Sequence, residues 1–574
     1  MISGYLITNI IYSEMMVGKF TFKRFYERRI KRILPIFYFV VFSVIAVGYF
    51  ILSPAEYKSL NNSAIAANSF LANFRFMLTG NYFQEENMRP LLHLWSLAVE
   101  EQFYFIWPSL LLLLIKFNKA RLPHILAVLI LLSFVAAEIA SRDVRLASMS
   151  YYMLPTRMGE LLLGAILVFI ALPNKKIVSE VCALIGLIFM FYAVFLVDSQ
   201  TFFPGIYSFI PCVGCAMIIA AGPNTVMAKF LSIRPLVFIG LISYSLYLWH
   251  WPVIILYKSY FLIDILSHQI AILIASIIIL FSWFTTEFIE NRLRRSNISF
   301  RSTILTYLVI PMILLFVVSF FISHQNGMPE RFGLNEKMSV TDTVACEYDE
   351  LGYCYISNEG ASSILLLGDS HAKQYSNFFK LFGTELDIKV IRSTSAGCAF
   401  EKSTFSSQAC EKMKSKVEVL AQKVDKIVIV KRIENLFQYE KGFNDYIAFI
   451  QRMTKYQKPI VVLAQVPKNY NTRFIDVYIK SKSSNTPELI DTKTDPLVAV
   501  ANAALQNKIS IMQNVEFISF HHTFCENSYC RHFDENNVPI YFDDDHISAY
   551  GSEWLATKVL HDDKYLLFIE WLKK

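Results

Sequence analysis

Residues 362–382 read SSILLLGDSHAKQYSNFFKLF, and the pattern changes character halfway through. As far as Leu367 the run is continuously apolar and of strand length, which predicts a strand buried on both faces. Gly368 then marks a sharp turn, and Asp369 and Ser370 open an amphipathic helix. A strand–turn–helix unit of this kind exposes Ser370 Oγ at the start of a helix, where free backbone N–H groups favour developing negative charge. A serine hydroxyl is a weak nucleophile without a base. A base is offered by YFDDDHISAYG, residues 541–551, in which Asp543 and His546 have the D-x-x-H spacing. On a turn, that spacing lets a carboxylate hold the imidazole in one tautomer. An ordinary turn accounts for GDSH alone and a solvated loop for D-x-x-H alone; together they predict nucleophile, base and orienting acid. His371 reads as structural, because it points along the chain away from the geometry a base needs.

The sequence between these two motifs is of α/β type. KIVIV at 426–430 and PIVVLAQV at 459–466 read as buried strands separated by a helical stretch around 440–456, and VEFISF at 515–520 is a further strand. Gly397 in STSAGCAF could donate a backbone N–H to an oxyanion hole, and Asn435 in VKRIENL follows a strand. Six cysteines fall in this half: Cys346, Cys354, Cys398, Cys410, Cys525 and Cys530. An even number in an oxidising compartment predicts disulfides, most simply between sequence neighbours. The rival reading is zinc, because His521, His522 and His532 surround Cys525 and Cys530, but zinc-finger ligand spacing is absent and no metal is expected.

The preceding half is of another kind. Hydrophobic residues make up 54% of the 574-residue chain, with 48 phenylalanines and a mean hydropathy of +0.40. This excess is concentrated before about residue 323, and a chain of this length calls for at least two domains. Windows of roughly 20 apolar residues predict about nine membrane spans, near 33–53, 92–115, 123–141, 152–171, 178–197, 204–221, 236–258, 268–289 and 302–323. Basic residues cluster before the first span (Lys23, Arg24, Arg28, Arg29, Lys31, Arg32). They recur in alternate loops at Lys116/Lys119/Arg121, Lys175/Lys176, Lys229/Arg234 and Arg292/Arg294/Arg295. The positive-inside rule makes these loops cytoplasmic and delivers everything after the last span to the outside. The net charge of +7 is thereby a matter of membrane orientation, and no nucleic-acid partner is expected. The opening MISGYLITNIIYS is apolar but too short to cross, and reads as the end of a helix whose beginning is absent.

Charged residues within apolar spans point to function or to a water-filled cavity. The segments FYERRIKRILP, HLWSLAVEEQFYFIWP, TRMGELLLGA, SYSLYLWHWP and FIENRLRR, in this order and spacing, resemble the membrane acyltransferase-3 family. That family moves acyl groups, often acetyl, from the cytoplasm onto extracytoplasmic glycans. The resemblance implies that Arg28, Arg29, Arg32, Glu100 and Glu101, with Arg157 and Glu160 of a further motif, line the path of an acyl donor such as acetyl-CoA. Arg292 stands where relatives usually have proline. The family's first helix, which carries a histidine, is absent, so the chain reads as truncated at its start. GDSH and YFDDDHIS are similar to the first and last sequence blocks of SGNH hydrolases, a flavodoxin-like three-layer fold found fused behind such membrane domains.

The resulting expectation is a polytopic α-helical membrane domain over 1–323, with a short N-terminal stub. A linker over 324–345 and an α/β three-layer SGNH-type domain over 346–574 follow, the latter in the periplasm of a protein of the bacterial inner membrane. The expected activity is O-acylation, with Ser370, Asp543 and His546 as its triad. The same triad would serve the reverse flow, that of a membrane-anchored glycan O-deacetylase. The acceptor would be a surface glycan such as lipopolysaccharide O-antigen or peptidoglycan; an inactive truncated remnant is the remaining alternative.

Overall fold

A computed structural model describes the chain except for residues 80–88, 171–174, 197–200, 262, 264, 339, 349–352, 396–407, 438–439, 469–494 and 527–528. The chain divides into two compact units. One comprises Met1–Leu52 and Glu56–Gly327, the other Ser53–Ala55 and Met328–Lys574.

The first unit is helical. Phe22–Ile51, Leu94–Arg142, Lys176–Phe195, His268–Arg294 and Phe300–His324 are helical stretches long and apolar enough to cross a membrane, among the described residues. Arg234–Leu241 and Ser243–Phe261 form a further candidate, bent by 71°. Leu94–Arg142 covers two of the expected spans. At 1.5 Å per residue its 49 residues would extend roughly 74 Å, more than twice a hydrocarbon core. A 3₁₀ turn at Lys119–Arg121 divides it, where the sequence places a basic loop. Two expected spans are shorter than read. The 152–171 segment is the 13-residue helix Leu154–Ile166. Pro155 in its first turn has no N–H to donate back, which separates it from the preceding helix Val144–Tyr152. The 204–221 segment is the 16-residue helix Ile206–Ala221. The opening residues form the helix Ile2–Met16.

Lipid supplies little hydrophobic drive between helices, so close packing has to come from small residues. Gly186 and Gly214 lie back to back: a Cβ added at either would come within 2.7 Å of the other's carbonyl oxygen.

The second unit is built on a seven-stranded sheet. The strands are β1 (Glu347–Tyr348), β2 (Cys354–Ser357), β3 (Ser362–Gly368), β4 (Ile388–Thr394), β5 (Lys426–Val430), β6 (Ile460–Leu463) and β7 (Val515–Ile518). Their order is β1-β2-β4-β3-β5-β6-β7. The five strands from β4 to β7 are parallel, whereas β1 and β2 add an antiparallel edge. Parallel strands need a crossover for each step, and helices on both faces supply it. Ile364 and Leu366 of β3 pack with Phe378, Phe382, Leu555 and Phe568 on one face. Leu365 and Leu367 pack with Leu420, Ile450 and Leu505 on the other. Burial on both sides is why β3 reads as an unbroken apolar run. Chain order reverses at β3, which has β4 on one side and β5 on the other. In open sheets of this kind, ligands bind beyond the carboxyl ends of the strands at such a switch point. Gly368 ends β3 at that place.

Candidate active site

Gly368 is needed for close approach. A Cβ there would lie 1.9 Å from the carbonyl oxygen of Val430 on β5. The next residue, Asp369, caps the short helix Ser370–Lys373: its carboxylate accepts from the His371 amide at 2.9 Å and from the Arg432 amide at 3.2 Å. One side chain thereby ties the turn after β3 to the loop after β5. Gln374 ties it to the C-terminal loop, its side-chain oxygen accepting from the Ile547 amide at 2.8 Å. That loop is closed at its base by a bridge between Tyr541 and Ile547, and by a hydrogen bond from the Phe542 amide to the His546 carbonyl. Ser548 then caps the helix Ala549–Leu560.

These constraints bring His546 Nε2 to 2.9 Å from Ser370 Oγ. The other ring nitrogen, Nδ1, faces two carboxylates. Both oxygens of Asp543 lie 3.0 Å away, and Oδ1 of Asp545 lies 2.7 Å away. Asp543 Oδ1 also accepts the backbone amides of Asp545 and His546, at 3.0 and 2.6 Å. Asp545 is almost fully buried and reaches the Arg432 guanidinium at 2.9 Å and His371 Nε2 at 3.4 Å. His371 itself is wholly buried, its ring centroid 4.5 Å from that of His546.

The electrostatics follow from this crowding. Burial alone disfavours imidazolium, but the charge and hydrogen bonding of Asp543, then of Asp545, outweigh it and hold the His546 pKa well above its ordinary value. Burial likewise pulls the Asp545 carboxyl up, yet its contacts with His371 and His546 win and keep it ionised far below the usual range. Asp544 is pushed up to about 6, first by burial and then by the charges of Asp545 and Asp543. His371, Asp545 and His546 also lie near enough to one another to share an ion. Both nitrogens of His546 are already engaged, one by Ser370 and the other by carboxylates. The arrangement can activate a hydroxyl: Ser370 has a base in contact, and the base has acids that fix its tautomer.

The structure thus brings Ser370, Asp543 and His546 together. Asn435 lies on the helix Glu434–Phe437 after β5, and Gly397 is outside the described residues. Cys346 is bonded to Cys354 and Cys525 to Cys530; Cys398 is outside the described residues, and Cys410 lies in the helix Gln408–Lys423. Asp545, Arg432 and Gln374 are the site residues that sequence reading misses. Only the repeated aspartate in DDDH hints at the first of them.

In the membrane half the implied donor-path residues form separate groups. Arg28 is paired with Glu14 at 2.6 Å. The Arg29 guanidinium stacks over Tyr104 at 4.9 Å, and the Tyr104 hydroxyl donates to Glu100 at 3.2 Å. Ser3 also donates to Glu100, at 3.0 Å. Arg32 lies on the same helix as Arg28 and Arg29, and Glu101 Oε1 is buried with no hydrogen-bond partner among the described residues. Arg157 pairs with Glu160 at 3.0 Å and stacks on Phe203, Trp95 and Tyr151.

A doubly wound sheet with a serine–histidine pair at its switch point, in a chain that begins with a bundle of apolar helices, defines a membrane protein with an SGNH-type domain. Residues 339–560 match the family described as an SGNH domain fused to AT3 domains, and residues 1–287 match the acyltransferase domain family. The chain belongs to the acyltransferase family with a fused SGNH domain. It is 32% identical over 314 residues to O-acetyltransferase OatA of Staphylococcus aureus (strain NCTC 8325 / PS 47), covering 52% of this chain and 51% of that protein. It is 33% identical over 315 residues to peptidoglycan O-acetyltransferase OatA of Listeria monocytogenes serovar 1/2a, covering 52% and 50%. An uncharacterized Haemophilus influenzae protein is 36% identical over 230 residues, covering 38% of this chain and 94% of its own length. The chain spans about half the length of the two acetyltransferases it matches.

Proposed function

We propose that the protein is an O-acyltransferase that carries an acyl group, acetyl in the first instance, from a cytoplasmic acyl-CoA across the inner membrane. The group ends on a hydroxyl of a cell-surface glycan, peptidoglycan or lipopolysaccharide O-antigen, with the SGNH domain in the periplasm. The observation that carries this reading is the 2.9 Å contact of Ser370 Oγ with His546 Nε2 in a chain of the acyltransferase family. The relatives named as O-acetyltransferases support acetyl as the group, and the name of the Listeria protein favours peptidoglycan as the acceptor. The basic loops support the orientation, and the arginine row of Phe22–Ile51 offers the positive charge that a polyphosphate-bearing donor requires.

In the SGNH domain, Ser370 Oγ attacks the acyl carbonyl carbon while its proton passes to His546 Nε2. The bond from that carbon to the departing group breaks, and the departing group takes the proton. His546 then removes a proton from a sugar hydroxyl, whose oxygen attacks the Ser370 ester. The glycan ester forms, and Ser370 recovers its hydrogen from His546. Asp543 keeps Nδ1 protonated throughout. The Ser370 amide and the regions of Gly397 and Asn435 are the proposed donors to the oxyanion.

The same serine would serve a deacetylase if water replaced the sugar. Replacing Ser370 by alanine in cells separates the two, because the O-acetyl content of the glycan should fall to background for a transferase. A rise would establish the deacetylase, and unchanged content would sink both.

A further inference from the structure

We propose that Asp545 is a second positioning residue for His546, held in place by Arg432, so that the imidazole is clamped between two carboxylates. The inference rests on Ser370 and His546 being nucleophile and base. Three observations carry it. The Nδ1 contact of Asp545, at 2.7 Å, is shorter than either contact of Asp543, at 3.0 Å. Asp543 Oδ1 is also shared with two backbone amides, which makes that side chain a former of the turn as well as a partner of the ring. Finally, the Asp543 side chain is 26% exposed against 3% for Asp545. A charge–charge contact is screened least where water is excluded.

Arg432 makes the buried carboxylate tenable. Its guanidinium bridges Asp545 at 2.9 Å and Glu434 at 2.6 Å, and its amide is fixed by Asp369 next to the nucleophile. The carboxylate that touches the base is thereby tied to the turn that carries Ser370. Movement of either one strains the same arginine. Without the guanidinium, Asp545 would be a buried anion whose outer oxygen has, among the described residues, only His371 nearby, at 3.4 Å.

The charged and titratable groups around His546 come from every element packed on it. Its own loop supplies Asp543, Asp544 and Asp545. The turn after β3 supplies Asp369 and His371. The loops after β5 and β6 supply Arg432, Glu434 and Lys468, the last 3.8 Å from both Glu434 and Asp544. Removing an anion from this set favours neutral imidazole, and removing a cation favours imidazolium.

The test is the pH profile of p-nitrophenyl acetate turnover by the purified full-length protein. The Ser370→Ala variant shows whether Ser370 and His546 catalyse that turnover at all. Asp545→Asn should lower kcat about 10- to 100-fold and move the acid limb to lower pH. Arg432→Gln keeps the carboxylate and should move the same limb the other way, to higher pH. It decides the matter if Asp545→Asn does not fold. Opposite shifts establish the clamp. Rate losses with an unmoved limb would mean that both residues only support the fold, and would overturn it. If Ser370→Ala leaves turnover intact, the underlying reading of the site fails instead.

Discussion

Arg157 in the membrane half and Arg432 in the sheet half are both largely shielded arginines, and they are held in opposite ways. Arg157 pairs with Glu160 one turn along its own helix and lies against three aromatic rings. Arg432 pairs with nearby Glu434 but also with Asp545, from the far end of the chain. Hydrocarbon penalises a lone charge from the moment a helix enters it, so a pair within one helix is the least costly arrangement. A domain that folds in water can leave charges apart until its strands converge, and can then use them to hold a site together. The charge of Arg157 is accordingly balanced within its own helix. At Arg432 it couples the ends of β3 and β5 to the C-terminal loop.

The sharpest way to break that contrast is to disable each half separately. On the proposed reading, His546→Gln should reduce hydrolysis of a small acetyl ester about 10³- to 10⁴-fold, because Ser370 loses the imidazole in contact with its hydroxyl. Arg157→Gln should leave that hydrolysis unchanged and lower only donor-dependent transfer to glycan. Full-length protein in vesicles, given a chromogenic ester outside or acetyl-CoA inside, reads both activities. Loss of ester hydrolysis in Arg157→Gln would show that the halves do not work independently.

The elements legible in the sequence are those whose signal is local. Ile364, Leu365, Leu366 and Leu367 in succession announce a doubly buried strand, and Gly368 announces the turn. D-x-x-H is legible as an imidazole–carboxylate contact because both residues lie on one loop. Asp545 is hidden in the run of three aspartates, whose spacing cannot say which carboxylate turns inward. Arg432 is invisible for a different reason: its partner comes from another strand connection, and no periodicity records that. The strand β4 escapes a sequence reading because Lys389 and Arg392 interrupt its apolar positions, yet Val390 and Ile391 are buried between β2 and β3. In the membrane half, hydropathy locates helices but overestimates Leu154–Ile166, whose break at Met153 and Pro155 lies inside an apolar window.

A second comparison uses one methyl group. Gly368→Ala places a carbon against the Val430 carbonyl, where two paired strands would have to separate. The expected cost is about 3 kcal/mol, with loss of ester hydrolysis. Gly240, in the helix Arg234–Leu241, has, among the described residues and apart from its own helix backbone and chain neighbours, no atom within 4 Å of the same methyl position. Gly240→Ala should therefore be neutral or add up to about 1 kcal/mol through helix propensity. Hydrogen exchange on the full-length protein reads the two units separately, and equal effects at the two glycines would contradict the packing described.

The smallest effect concerns His532, which is 2% exposed and lies against Tyr541 at the base of the loop that carries His546. Burial pushes its pKa down to about 3, below the usual value near 6.5. Above pH 6.5 the ring is neutral in folded and unfolded chains alike, and no pH dependence arises. As the pH falls below 6.5 the unfolded chain takes up a proton that the folded chain refuses until about pH 3. Stability should therefore decline across that window, by about 1 kcal/mol at pH 5.5. His532→Leu should remove this share of the decline while leaving the Ile540 amide to donate to the backbone carbonyl of residue 532 as before. Hydrogen exchange of β3 and β5 amides in the full-length protein at about pH 7 and about pH 5.5 measures the difference. An unchanged decline in His532→Leu would assign the acid sensitivity of this half to other groups.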